Sequence, residues 1–140
     1  MKIELSLETY RNEHFVVPKV NLHLFQGFIY NLFSEKRSAF LHDHGYEFEG
    51  RRFKLFVFSW PRAKKIRIEE DRIVFQNPVS IVLASPVSEI LQDLVNGALL
   101  NQTLRIGNNE IQCTRIHVLP EPDLTENIKV KALSPITSYS

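Results

Sequence analysis

Two stretches with helical period, each set between stretches with the period of a strand, constrain this chain more than any other feature. Over about residues 22–33, Leu22, Phe25, Phe28, Ile29, Leu32 and Phe33 form one broad apolar stripe at 100° per residue. Asn21 stands where an N-cap is expected, and His23, Gln26, Gly27 and Tyr30 fall together on the opposite side. Over about 86–100, Ile90, Leu91, Leu94, Val95, Ala98 and Leu99 are expected inward, behind Ser85 as N-cap and Pro86 at the first helical position. A helix with an apolar stripe must bury it against a second layer, and the flanking segments supply one.

Residues 2–7 (KIELSL) set Ile3 and Leu5 against Lys2, Glu4 and Ser6, the alternation of a half-buried strand. Pro18 is expected to close a polar loop, and a shorter helix over about 36–43 is expected to stop at Gly45. Residues 53–59 (FKLFVFS) form the strongest strand candidate, with Lys54, Phe56 and Phe58 on one face and Phe53, Leu55 and Val57 on the other. Segments 64–68 and 72–75 suggest a hairpin around Glu69, Glu70 and Asp71, and 79–84 (VSIVLA) has the continuous apolar run of a central strand. Further strands fit 102–106, 111–118 and 127–133. The order strand, helix, strands, helix, strand predicts an α+β chain of the ferredoxin-like (RRM-like) plan, an antiparallel sheet with two main helices on one face.

The remaining bounds are compositional. At 140 residues, with 44% hydrophobic and 24% charged side chains, the chain fits one globular domain and is not wholly disordered. Its apolar runs fall short of the ~18 residues a membrane helix needs, and Glu4 and Glu8 interrupt any signal-peptide core. A single cysteine, Cys113, excludes an internal disulfide and a thiolate metal cluster. The chain reads as soluble and cytoplasmic, with no membrane partner.

Seventeen Lys and Arg against sixteen Asp and Glu leave a net charge of +1, but the distribution is uneven. Arg51, Arg52, Lys54, Arg62, Lys64, Lys65 and Arg67 fall in one stretch, 51–67, with no acid among them. Cations interleaved with aromatic residues resemble single-stranded RNA platforms, where bases stack on rings and phosphates meet cations. The competing reading is a sheet covered on both faces, with Phe56 and Phe58 in the core.

Two further clusters carry chemistry. His42-Asp43-His44 places two imidazoles that would share a metal only on extended backbone; a short helix would splay them by roughly 200°. They fit either as cations complementing a helix C-terminus or as an acid–base group. Tyr30, on the polar side of the first helix, offers surface packing or a phenolic hydroxyl for a reacting group. Phosphate-loop glycine motifs, a GxSxG elbow, HExxH and CxxC are all absent from the sequence.

The strings GFIYNLF (27–33), FLHDHGY (40–46), RRFKLFVFS (51–59), LVNGALLN (94–101) and LSPI (133–136), in this order, resemble the N-terminal half of the CRISPR-associated repeat-processing endoribonucleases, within the repeat-associated RNA-binding superfamily. The resemblance implies a ferredoxin-like domain over 1–133, with 134–140 starting a linker to a second domain. It implies cleavage of CRISPR repeat RNA without metal or other cofactor, by attack of a 2′-hydroxyl on the adjacent phosphate to leave a 2′,3′-cyclic phosphate. The positions matching the family's tyrosine, histidine and lysine are Tyr30, His42 and Lys54, and Arg51, Arg52, Arg62, Lys64, Lys65 and Arg67 are the RNA-binding candidates. Other proteins of the CRISPR interference complex are implied partners, and a bare apolar sheet face would favour a homodimer. The family's glycine-rich RNA-binding loop has no counterpart, since no glycine follows Gly107. A non-catalytic RNA-binding module of the same superfamily is the alternative. A phosphatase-like ferredoxin fold is disfavoured because residues 8–20 lack the glycines of an anion-binding loop.

Overall fold

Alternation at the start of the chain continues two residues further than its clearest pattern. β1, Lys2–Thr9, turns Ile3, Leu5 and Leu7 fully inward. In the computed structural model, which describes residues 1–11, 14–101 and 103–133, β1 lies at the centre of a five-stranded antiparallel sheet. Its neighbours are β8 (Val79–Ala84) on one side and β10 (Asn109–Leu119) on the other. Outside these lie β5 (Val57–Phe58) and β9 (Leu104–Ile106), giving the order β5-β8-β1-β10-β9. With α1 (Leu22–Leu32) and α3 (Ser88–Leu100) as its two long helices, this is the ferredoxin-like arrangement the periodicities predict.

One core holds the two layers together. Phe25, Phe28, Ile29 and Leu32 of α1 and Ile90, Leu91, Leu94 and Ala98 of α3 pack with Ile3, Leu5, Leu7, Ile81 and Leu83. The helices touch closely at Gly97: a Cβ built there would lie 1.7 Å from the Leu32 carbonyl oxygen, so only glycine admits the contact. Asp93 Oδ2 also accepts from Ser34 N–H (2.9 Å) and Oγ (3.1 Å), fixing the end of α1 to α3.

Several expectations are corrected. Residues 14–18, placed in a polar loop, form β2 (His14–Pro18), which pairs with β7 (Arg72–Gln76). With β6 (Ile66–Ile68) these make a second sheet, β2-β7-β6, containing the predicted hairpin. The strand expected over 53–59 is broken at Leu55, whose φ of 56° is left-handed. The break separates β5 from a two-stranded ribbon, β3 (Tyr46–Phe48) and β4 (Arg51–Phe53). The helix at 86–100 begins only at Ser88, so Pro86 lies outside it, and Leu99, expected inward, is 69% exposed. The strand expected over 127–133 is exposed chain without a ladder partner among the described residues. The linker expected over 134–140, and the first residue of the 102–106 strand, lie outside the described residues.

The short second helix is also divided. Ser34 Oγ accepts from Arg37 N–H (3.3 Å) and starts α2 (Glu35–Ala39). The chain then widens into a π turn, Phe40–His44, closed where Gly45 N–H donates to Phe40 O at 2.7 Å. Gly45 sits at φ 70°, as expected for a stop, and an added Cβ would lie 2.8 Å from Phe53 O. Among the described residues no helix is long and apolar enough to cross a membrane.

Candidate active site

Tyr30 lies one turn before Phe33, and that spacing places the two rings together on a helix face. The Tyr30 ring meets Phe33 edge-on at 6.1 Å and Phe56 at 5.9 Å, and Phe33 and Phe56 lie 5.5 Å apart. Tyr30 is therefore half-buried in an aromatic cluster, whereas a position on the polar face beside His23 was expected. Its hydroxyl is buried and has no hydrogen-bond partner among the described residues. A phenol in that state is unusual, because a buried hydroxyl without a partner costs about 1–3 kcal/mol.

Lys54 completes this cluster from the other side. Its Nζ stands 5.1 Å from the Tyr30 ring centroid, within cation–π range. The turn carrying it is held by Ser85, whose buried Oγ donates to Leu55 O at 2.6 Å and accepts from Val87 N–H at 3.0 Å. Ser85, expected as a helix cap, instead fixes the left-handed residue next to Lys54.

His42 comes from the π turn. It shares a cleft of about 470 Å³ with Tyr30, Phe33, Glu35, Ser38 and Asp43. Its Nδ1 lies 2.8 Å from Asp43 Oδ1, and when protonated there it donates to the carboxylate. That hydrogen bond is the main reason the Asp43 carboxyl is held below its ordinary pKa, with the nearby imidazoles of His42 and His44 adding to the effect. A second cleft, about 580 Å³, is lined by Phe53, Lys54, Phe56, Val57 and Pro86. Tyr30 lines one cleft and Lys54 the other, so their contact joins the two.

The six RNA-binding candidates do not form one patch. Arg52 Nη1 donates to Asp43 O (3.2 Å), bracing the π turn against the ribbon, while Arg51 is exposed near the ribbon's tip. Arg62 pairs by its backbone with Ser80 of β8. Lys64 and Lys65 are exposed ahead of β6. Arg67 donates to Glu69 Oε1 (2.9 Å), and Glu69 also pairs with Arg72. These two guanidiniums, Arg72 foremost, hold the Glu69 carboxyl below its ordinary pKa. A stretch free of acids in sequence thus meets an acid in space.

Of the two readings of Phe56 and Phe58, the structure supports the covered one: both pack against the core. The exposed rings of this region are Phe48, Phe53 and Trp60. A sequence signal for the first two exists, namely Glu49-Gly50 between alternating residues, a two-residue hairpin turn. Among the described residues no three His, Cys, Asp or Glu side chains gather to hold a metal ion.

Known proteins share this arrangement of elements. The chain is 30% identical over 138 residues to the CRISPR-associated endoribonuclease Cas6 1 of Methanocaldococcus jannaschii, covering 97% of the chain and 51% of that protein. A solved structure of a CRISPR-associated protein Cas6 matches with a TM-score of 0.66 and 28% identity, over 89% of this chain and 50% of the other. Over nearly its whole length the chain is similar to Cas6 proteins. A solved structure described as a Cas6-related protein from Pyrococcus furiosus superimposes with a TM-score of 0.68 over 89% of the chain and 50% of its own, and at 21% identity it supports the fold alone. No protein-family model matches the chain. The chain spans about half the length of these Cas6 relatives.

Proposed function

We propose that this chain carries the catalytic side chains of an endoribonuclease that cuts CRISPR repeat RNA. The observation carrying this reading is the joining of Tyr30, Lys54 and His42: the ammonium lies over the phenol ring, and the phenol and imidazole share one cleft. In the proposed reaction the 2′-hydroxyl loses its proton and its oxygen bonds to the adjacent phosphorus. The bond from phosphorus to the 5′-oxygen breaks, and that oxygen takes up a proton. The products are a 2′,3′-cyclic phosphate and a 5′-hydroxyl. His42 is exposed enough to exchange a proton with solvent and serves as acid or base. Lys54 stabilises charge on the crowded phosphorane. Tyr30 takes the remaining positioning or proton-transfer role, its hydroxyl having no competing partner among the described residues.

No step in this scheme passes through a metal. The test is cleavage of repeat RNA in EDTA, with the cyclic-phosphate product identified by mass and His42→Ala compared in parallel. Cleavage by the wild type and its loss in the variant are expected. Cutting retained by His42→Ala, or lost in EDTA, refutes the mechanism. A second reading, an RNA-binding module without cleavage, is favoured by Lys54 lining a different cleft from the one His42 lines. It predicts binding that weakens with salt as counterions are released, and no cyclic phosphate.

A further inference from the structure

The ribbon β3–β4 links the two ends of the proposed site, since it begins just after the π turn bearing His42 and ends at Lys54. Its register pairs Tyr46 with Phe53, Glu47 with Arg52 and Phe48 with Arg51. Directly opposed residues of an antiparallel pair share a face, and alternate residues of a strand do too. One face therefore carries Tyr46, Phe48, Arg51 and Phe53, and the other carries Glu47 and Arg52. The turn at Glu49-Gly50 has φ of 48° and 75°, both positive, the conformation that lets two strands close over two residues without splaying.

The aromatic face is rooted and then bare. At its base Tyr46 packs edge-on against Phe40 at 5.3 Å. Across from it Phe53 is 42% exposed, and further out Phe48 is 68% exposed. A two-stranded ribbon is marginal by itself, so rings that bury little surface do not account for its stability. Charge indicates what the face receives. It presents Arg51 and no acid, because Glu47 lies on the opposite face across from Arg52 and Glu49 lies in the turn. An aromatic face with a single unopposed cation, continuous with a phosphate-cleaving site, complements a chain that alternates bases and phosphates.

We propose that this face is a stacking platform for unpaired nucleotides of the RNA next to the scissile phosphate, with a base on Phe48 and a phosphate on Arg51. The proposal rests on the RNA part of the function proposed above. It assigns Phe48 a role and separates Arg51, a phosphate contact, from Arg52, which braces the His42 turn.

The test is equilibrium binding of a short single-stranded RNA with a fluorescent purine analogue, at several salt concentrations, to the wild-type chain and to Phe48→Ala, Phe48→Leu, Phe48→Trp and Arg51→Ala. Loss of a stacked base should weaken binding about 5- to 150-fold in Phe48→Ala. Phe48→Leu, which keeps apolar bulk but has no π-face, should lose as much, and Phe48→Trp should restore binding. The salt dependence should stay unchanged in the Phe48 variants and become shallower by about 0.7 in Arg51→Ala. Wild-type affinity in both Phe48→Ala and Phe48→Leu overturns the platform while leaving the cleavage reading intact. Loss of self-association in sedimentation, with RNA affinity unchanged, overturns it in favour of a protein contact. Phe48-dependent binding by a chain that leaves the RNA uncut supports the platform and refutes cleavage. A wild-type chain that binds no RNA overturns both.

Discussion

Lys54 Nζ stands 5.1 Å from the centre of the Tyr30 ring, the hydroxyl of which is buried without a partner among the described residues. The two residues are 24 positions apart, and the left-handed turn at Leu55 helps place the second over the first. Lys54→Ala should therefore slow single-turnover cleavage by about 10²–10³-fold, the cost typical of one lost charge-stabilising donor. Lys54→Arg should recover only part of this, because a planar guanidinium stacks on a ring differently from a compact ammonium. An alanine variant cutting at the wild-type rate would remove Lys54 from the site.

Asp43 offers a test of the His42 contact that needs no substrate. Its carboxyl is held below the ordinary value of 3.8, chiefly by the hydrogen bond from His42. A depressed native-state value means the contact contributes fully above the unfolded-state pKa and is lost as pH falls through the lowered one. His42→Ala removes the largest cause, so the Asp43 titration should move up toward 3.8. A carbon-detected NMR titration reads this directly; an unmoved midpoint would mean that the two side chains are not paired in solution.

The sequence periods located both long helices, the inner strand 79–84 and the hairpin at 64–75, because each follows from apolar spacing within a single segment. What escaped them depends on distant partners. FKLFVFS has strand propensity throughout, and its break at Leu55 coincides with a bond from Ser85, 30 residues away. HFVVP is a strand because residues 72–76 pair with it. Residues 127–133 have a suitable pattern but no ladder partner among the described residues. At the site, family resemblance supplied Tyr30, His42 and Lys54, while the exposure of Phe48 and the neutralisation of Arg67 by Glu69 became evident only in three dimensions.

Two glycines in the helices should respond oppositely to alanine. At Gly97 the new Cβ would overlap the Leu32 backbone, so Gly97→Ala must push α1 and α3 apart and should cost at least about 1–3 kcal/mol. Gly27 is exposed within α1, with nothing within 4 Å of its added Cβ. Gly27→Ala should stabilise the chain by about 0.5–1 kcal/mol through helix propensity. Urea midpoints measured on the pair give both signs, and a destabilised Gly27→Ala would place an unseen contact on that face of α1.

Ser85→Ala should weaken both the fold and the proposed chemistry. The Ser85 hydroxyl is buried, and its removal leaves Leu55 O and Val87 N–H each short of a partner. Stranding such groups costs about 1–3 kcal/mol, visible as a lower urea midpoint. Leu55 would also lose a bond that holds it at a φ of 56°, a conformation costing a leucine about 1–2 kcal/mol. Relaxation toward the β region would carry Lys54 away from Tyr30, so cleavage should slow by more than the unfolded fraction explains. Because Ser85 contributes no cation, the salt dependence of RNA binding should keep its wild-type slope. A variant that loses stability yet cuts at the full rate per folded molecule would show that Lys54 is placed without this bond.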